Sequence, residues 1–356
     1  MMLRTLRRTG FRALKTSGIS AALARSSWRR GRLLILCYHG ISSKSGIPVQ
    51  DEHEWQPMLY MTQDLLASRF KLIKNSGCEV LPLGEALQHL YAGTLPSKSV
   101  AITFDDGGYD FYRGAYPVVR DFGFPVTVYQ TTYYSDFPKP IFNLACSYLL
   151  WKSRRHGLQA APELGIPREV DLSSEVERRE VLNHIHAFAE QQNYSGAAKD
   201  ELALRLATLL GQDYEAFCAS RLFQLMTPEE IRELSARGVD FQLHTHRHRT
   251  PKEEGLFRRE IRENRRRLEE ITGKPATHFC YPSGVYQLDF LPWLRQEGVT
   301  SATTCEPSLI SAATNPLLLP RLVDTSFKTS LEFESWLDGT GALLARRPVS
   351  ARMNHD

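Results

Sequence analysis

Four short apolar runs each end in a group of residues able to carry protons or hold metals, and this recurrence limits the fold more than any other feature. Leu33–Cys37 leads into Tyr38-His39-Gly40, and Val100–Phe104 leads into Asp105-Asp106-Gly107. Val239–Leu243 leads into His244-Thr245-His246-Arg247-His248, and Thr277–Tyr281 leads into Pro282-Ser283-Gly284. Apolar runs of this length, bounded by turn residues, read as buried strands. Helical spacing fills the gaps: Leu65, Leu66, Phe70 and Ile73 before Gly77, a segment at 84–92, another at 115–122, and Phe257, Ile261, Leu268 and Ile271 before Gly273. Strands alternating with helices predict an α/β fold with a parallel sheet closed toward a distorted (β/α) barrel. In such barrels the C-terminal strand ends meet on one face, which holds the active site.

The alternation breaks between about 135 and 225, where helical patterns dominate. Ser174-x-x-Glu177 reads as a capping box, and Leu202, Leu206, Leu209 and Leu210 precede Gly211. The barrel pattern resumes at Thr227, with Pro228 at the first helical position and Glu230 at the third. The expected organisation is a basic segment at 1–31, a barrel domain at 32–340 carrying the helical insertion, and a tail at 341–356. The insertion either walls the cleft or packs at its periphery.

Charge excludes one class of function. Residues 1–32 hold nine Lys/Arg and no acid, leaving 35 basic against 40 acidic residues in the rest. An acidic body does not suit nucleic acid. The basic segment carries Leu3, Leu6, Phe11 and Leu14 on one side. It reads equally as a disordered leader or as an amphipathic helix, residues 1–30, touching anionic membrane. A secretory signal is disfavoured, because its best apolar stretch, 18–24, is short and contains Ser20. Six scattered cysteines without CxxC spacing suggest free thiols and a cytoplasmic location, to which the basic segment adds membrane association as an option.

His244 and His248 are spaced to share one side of a helix-like turn. Two imidazoles and one carboxylate make a three-ligand site with room for water, the layout of catalytic zinc. Adjacent Asp105 and Asp106 can divide ligand and base roles, since neighbouring side chains after a strand point apart. An Asp-Asp-Gly alone is more commonly a turn. The combination on successive strand ends is what points to chemistry.

Thr103-Phe104-Asp105-Asp106-Gly107 and His244-Thr245-x-x-His248 resemble the first two motifs of the polysaccharide deacetylases, the NodB-like carbohydrate esterases, over about 33–134 and 226–325. The resemblance implies a barrel of fewer than eight strands and removal of acetyl groups from N-acetylated sugars of a polysaccharide, oligosaccharide or lipid-linked glycan. It implies Asp105 as general base and Asp106, His244 and His248 as ligands of a divalent metal, zinc first, with cobalt, nickel or manganese as other choices; His246 is a bystander. Cys37-Tyr38-His39-Gly40 resembles the branch acting on poly-N-acetylglucosamine, which makes His39 the general acid. The third motif departs from the family, because Phe279-Cys280-Tyr281-Pro282-Ser283-Gly284 lacks its arginine. Arg321 is the candidate replacement, and a backbone N–H near Tyr281 the candidate oxyanion donor. Tyr38, Gly107, Tyr281 and Pro282 are expected beside the substrate. The alternatives are an O-acetyl esterase and an inactive glycan-binding barrel.

Overall fold

The computed structural model describes residues 2–42, 55 and 60–344, with side chains from residue 9. The strands are β1 (Leu34–Tyr38), β2 (Gly40–Ser42), β3 (Tyr60–Thr62), β4 (Glu79–Val80), β5 (Ser99–Phe104), β6 (Thr127–Gln130), β7 (Gly157–Leu158), β8 (Val170–Asp171), β9 (Asp240–Leu243), β10 (His278–Cys280), β11 (Ser301–Thr303) and β12 (Leu322–Val323). Eight of them form one sheet in the order β11-β10-β9-β6-β5-β1-β12, with β4 against β5, and all its pairings are parallel. The result is a half-barrel with helices outside. Residues 316–323 connect its two edges. Leu319 N–H donates to Ala302 O on the β11 side, while Leu322 and Val323 pair with Leu36 and Cys37 of β1. Strands β11 and β12, too short to show a periodicity, are absent from the sequence-based expectation.

Burial explains why the central strands are apolar throughout. β1 and β5 are buried at every position, as expected when both faces are covered. Alternate residues divide between two cores. Leu34, Leu36 and Tyr38 join Phe70, Val100, Ile102 and Phe104 under the outer helices. Leu33, Ile35 and Ala101 join Tyr129, Cys280, Ile310 and Leu319 inside. This pleat alternation sends the side chains of Tyr38 and His39 in different directions.

The insertion has its own core, drawn from Phe142 through Phe223. Helices Phe142–Lys152, Glu175–Gln191, Gly196–Leu209 and Tyr214–Ala219 build it, with an antiparallel β7–β8 pair. Thr227 and Glu230 form the expected capping box. Ser174 does cap its helix, accepting from the Glu177 N–H, but Glu177 turns to Arg168 instead of closing the box.

The basic segment is not a disordered leader where its side chains are described. Helices Met2–Thr16 and Ile19–Arg25 pack on the helix Ser330–Asp338, and Ser27–Arg30 packs on Ile19–Arg25. Phe11 is buried, Lys15 Nζ pairs with Glu334 at 2.7 Å, and buried Arg29 donates to Leu337 O. The side chains of Leu3 and Leu6, and the tail beyond 344, lie outside the described residues. None of the described helices is long and apolar enough to cross a membrane.

One ion pair links the C-terminal region to the barrel. Arg69 Nε donates to Asp324 Oδ2 at 2.9 Å, both side chains almost fully buried, and its other end meets Lys328 O and the Phe333 ring. Removing one member of a buried pair strands the other charge, at about 3–5 kcal/mol. Arg69→Met is therefore expected to lower the unfolding free energy by about that amount; urea denaturation checks it, and a loss below about 1 kcal/mol would contradict the pairing argument.

Candidate active site

Asp105 leaves β5 pointing into the half-barrel and is 6% exposed. A lone carboxylate there would be very costly, and Arg321 compensates it. Its Nη1 and Nη2 donate to Oδ1 and Oδ2 of Asp105, each at 2.7 Å. Thr304 O and Thr103 Oγ1 take further guanidinium hydrogens at 3.0 Å. Burial pushes the Asp105 carboxyl up, but Arg321 outweighs it and holds the group well below the ordinary carboxylate range. The Cys37 and Cys280 thiols each donate to Oδ2 at 3.4 Å, and His39 Nε2 lies 3.8 Å from it.

Asp106, the next residue, faces the other way. Its Oδ1 lies 3.2 Å from His244 Nε2 and 3.1 Å from His248 Nε2. His244 Nδ1 meets the Cys280 carbonyl at 2.9 Å. A carbonyl only accepts, so Nδ1 carries the hydrogen and Nε2 presents a lone pair to Asp106. In the neutral imidazole that lone pair faces a carboxylate oxygen, an arrangement that a metal ion or a proton between them stabilises. Two imidazoles and one carboxylate fit zinc or a similar divalent ion, and their donor atoms lie within 4.8 Å of one another.

Asn264 positions this set from the helix Glu254–Thr272. It is fully buried, its Oδ1 accepts the His244 N–H at 2.9 Å, and its Nδ2 donates to Gln130 O and Thr132 Oγ1. Asp110 ties the His39 side of the mouth to the aspartate loop by accepting the Ile41 N–H at 2.8 Å; burial pushes its carboxyl up to about 6. Backbone strain gathers at the same place. Asp106, Thr245, His248 and Ser283 all have φ between 53° and 71°, a region non-glycine residues avoid.

The cleft above these groups has two lobes that share His39 and Asp106. One is lined by Tyr109, Arg113, Ile141 and 219–225, the other by Tyr134, Phe142, His186, Lys199 and Ser283. The insertion therefore forms a wall of the cleft, the first of its two expected placements.

Comparison with known proteins supports one family over part of the chain. The sequence pattern described as polysaccharide deacetylase matches residues 199–302. That segment, which holds His244 and His248, is similar to the polysaccharide deacetylase family, while Asp105, Asp106 and His39 lie outside it. YxkH of Bacillus subtilis, which bears the family's name, is 32% identical over 110 residues, 30% of this chain and 35% of that protein. The poly-beta-1,6-N-acetyl-D-glucosamine N-deacetylase of Escherichia coli K12 is 25% identical over 104 residues, 29% of this chain and 14% of its own. The matched segments thus span about a third or less of these relatives. In structure, the Streptococcus pyogenes deacetylase PplD, solved with acetate, superposes with a TM-score of 0.55 at 19% identity, covering 83% of this chain and 93% of that one. That likeness concerns the fold.

Against the family reading, the structure brings together Asp105, Asp106, His244, His248, His39 and Arg321, and it removes the four residues expected beside the substrate. Tyr38 is fully buried, its ring 5.3 Å from Phe104 and its hydroxyl without a partner among the described residues. Gly107 is buried at φ 75°, where a Cβ would fall 2.0 Å from Gln130 Oε1, so it is a packing glycine. Pro282 is buried. Tyr281 also fails as the catalytic donor: its N–H donates to Thr303 O and its hydroxyl to Leu317 O. The exposed residue of that turn is Ser283, which lines the cleft. His246 is no ligand in this arrangement; its Nδ1 meets Thr132 Oγ1 at 2.8 Å.

Alanine at Asp106, His244 or His248 is expected to abolish stoichiometric zinc in purified protein, read by elemental analysis. Asn264→Ala leaves the ligands in place and should weaken zinc about 10–100-fold in competition titrations. Undiminished zinc in Asp106→Ala would remove the site.

Proposed function

We propose that this chain hydrolyses the N-acetyl group of an N-acetylated sugar in a polysaccharide, oligosaccharide or lipid-linked glycan, releasing acetate and a free amine. The carrying observation is the placement of the arginine-clamped Asp105, the Asp106/His244/His248 set and His39 around one cleft. An inactive glycan-binding barrel would have no use for that convergence.

Zinc or a similar ion held by Asp106, His244 and His248 would supply a more acidic water and a polarised acetyl carbonyl. The protein's own groups divide the remaining work. Arg321 keeps Asp105 ionised and fixes its plane, so its carboxylate can take the proton of the attacking water. His39 Nε2, 3.8 Å from Asp105 Oδ2, faces both lobes and can protonate the departing nitrogen. Because the Tyr281 N–H is taken up by Thr303, the oxyanion donor is moved to the Ser283 amide, beside His248 in the same lobe.

The test is acetate release from N-acetylglucosamine oligomers by the zinc-loaded protein. Asp105→Asn and His39→Ala are each expected to lower the rate about 10²–10⁴-fold, with zinc retained in Asp105→Asn. No acetate from any N-acetylated sugar would sink the proposal. Release from O-acetylated sugars alone would turn the reading into an esterase.

A further inference from the structure

We propose that the face formed by the helices of residues 9–30 and the helix Thr340–Leu344 docks by charge onto an anionic lipid bilayer. The sequence segregates charge: residues 1–32 hold nine of the Lys/Arg without an acid, and Arg346, Arg347 and Arg352 precede the single acid of the last ten residues, Asp356. The fold sets the first of these segments on the C-terminal helices. Helix 19–25 packs on Ser330–Asp338, helix 27–30 packs on 19–25, and a Cβ on Gly339 would lie 2.9 Å from the Trp28 ring and 3.7 Å from Leu23. The last described helix, Thr340–Leu344, starts from that junction and leads into the arginine-rich tail.

Part of this charge is already used within the protein. Lys15 pairs with Glu334, Arg29 is buried, and Arg32 lies over the Trp28 ring. Arg12, Arg25 and Arg30 are exposed and make no ion pair among the described residues. Exposed apolar side chains accompany them, Ile19 at 51% on the helix of Arg25, and Leu343 at 57% and Leu344 at 44% on Thr340–Leu344. Arginines mixed with exposed aliphatic groups suit an anionic bilayer surface, where charge attracts and short apolar chains enter the headgroup region. A polyanion without an apolar phase would leave the aliphatic groups without use.

Phe11 is buried against the protein, so the first helix keeps part of its apolar side for the fold. The contact is accordingly peripheral and salt-sensitive. Its place also leaves the chemistry free: the Ser27–Arg30 helix feeds the start of β1, whereas His39 follows the other end of that strand.

The experiment is co-sedimentation of the full chain with vesicles of phosphatidylcholine alone or with one-third phosphatidylglycerol, at low and high salt. Binding is expected only with phosphatidylglycerol and is lost at high salt. Arg12→Glu/Arg25→Glu/Arg30→Glu should weaken it by on the order of 100-fold, from about 1 kcal/mol per charge near the surface, with acetate release unchanged. Ile19→Ser/Leu343→Ser should weaken it less. No binding to anionic vesicles, equal binding to neutral ones, undiminished binding by the folded triple variant, or equal affinity for duplex DNA would each overturn the proposal.

Discussion

The fork from Arg321 to Asp105 is the interaction on which the site depends. Asp105 is buried under the cleft floor, and without a matched cation it would take up a proton instead of keeping its charge. A planar guanidinium answers both carboxylate oxygens at once and fixes the plane of the carboxylate, which a single point charge would not do. Arg321 comes from the segment that joins β11 to β1, so closing the half-barrel and clamping Asp105 are one structural event. The proposal that Arg321 takes the place of the third motif's missing arginine rests on the same contact. Cys280 stands in that stretch, its sulfur 3.0 Å from Arg321 Nη2. A small residue on β10 leaves room for the guanidinium to arrive from the other side.

Around this pair the two aspartates take on different chemistry because their surroundings differ. Asp105 is enclosed by arginine and thiols, while Asp106, in a left-handed backbone conformation, turns toward two imidazoles. The strain at Asp106, Thr245, His248 and Ser283 persists because neighbouring bonds fix the loops, among them the Asn264 clamp on His244 and the Thr245 hydroxyl accepting the Arg249 N–H. Pre-set loops of this kind hold ligands in place before any substrate arrives.

Much of this was legible in the sequence because the strand ends carry it. Asp105, Asp106, His39, His244 and His248 each follow an apolar run, and parallel topology alone brings such ends together. What sequence adjacency could not give was direction. Tyr38 and Tyr281 adjoin the right motifs but turn into the core, since alternation in a strand sends neighbours to opposite faces. Two positioning residues did leave a signal. Glu260 and Asn264 fall on the stripe of Phe257, Ile261, Leu268 and Ile271, where a polar residue needs a buried partner: Asn264 holds His244, and Glu260 holds Arg247 and Arg249. Strands β11 and β12, only three and two residues long, left none.

The central claim is that a guanidinium from outside the third motif maintains the base, independently of the metal set. The most direct measurement is acetate release by Arg321→Met, with zinc determined on the same folded sample. The account predicts zinc retained at wild-type stoichiometry and turnover reduced by at least about 100-fold. Turnover near the wild-type rate, or zinc lost in step with activity, would contradict it.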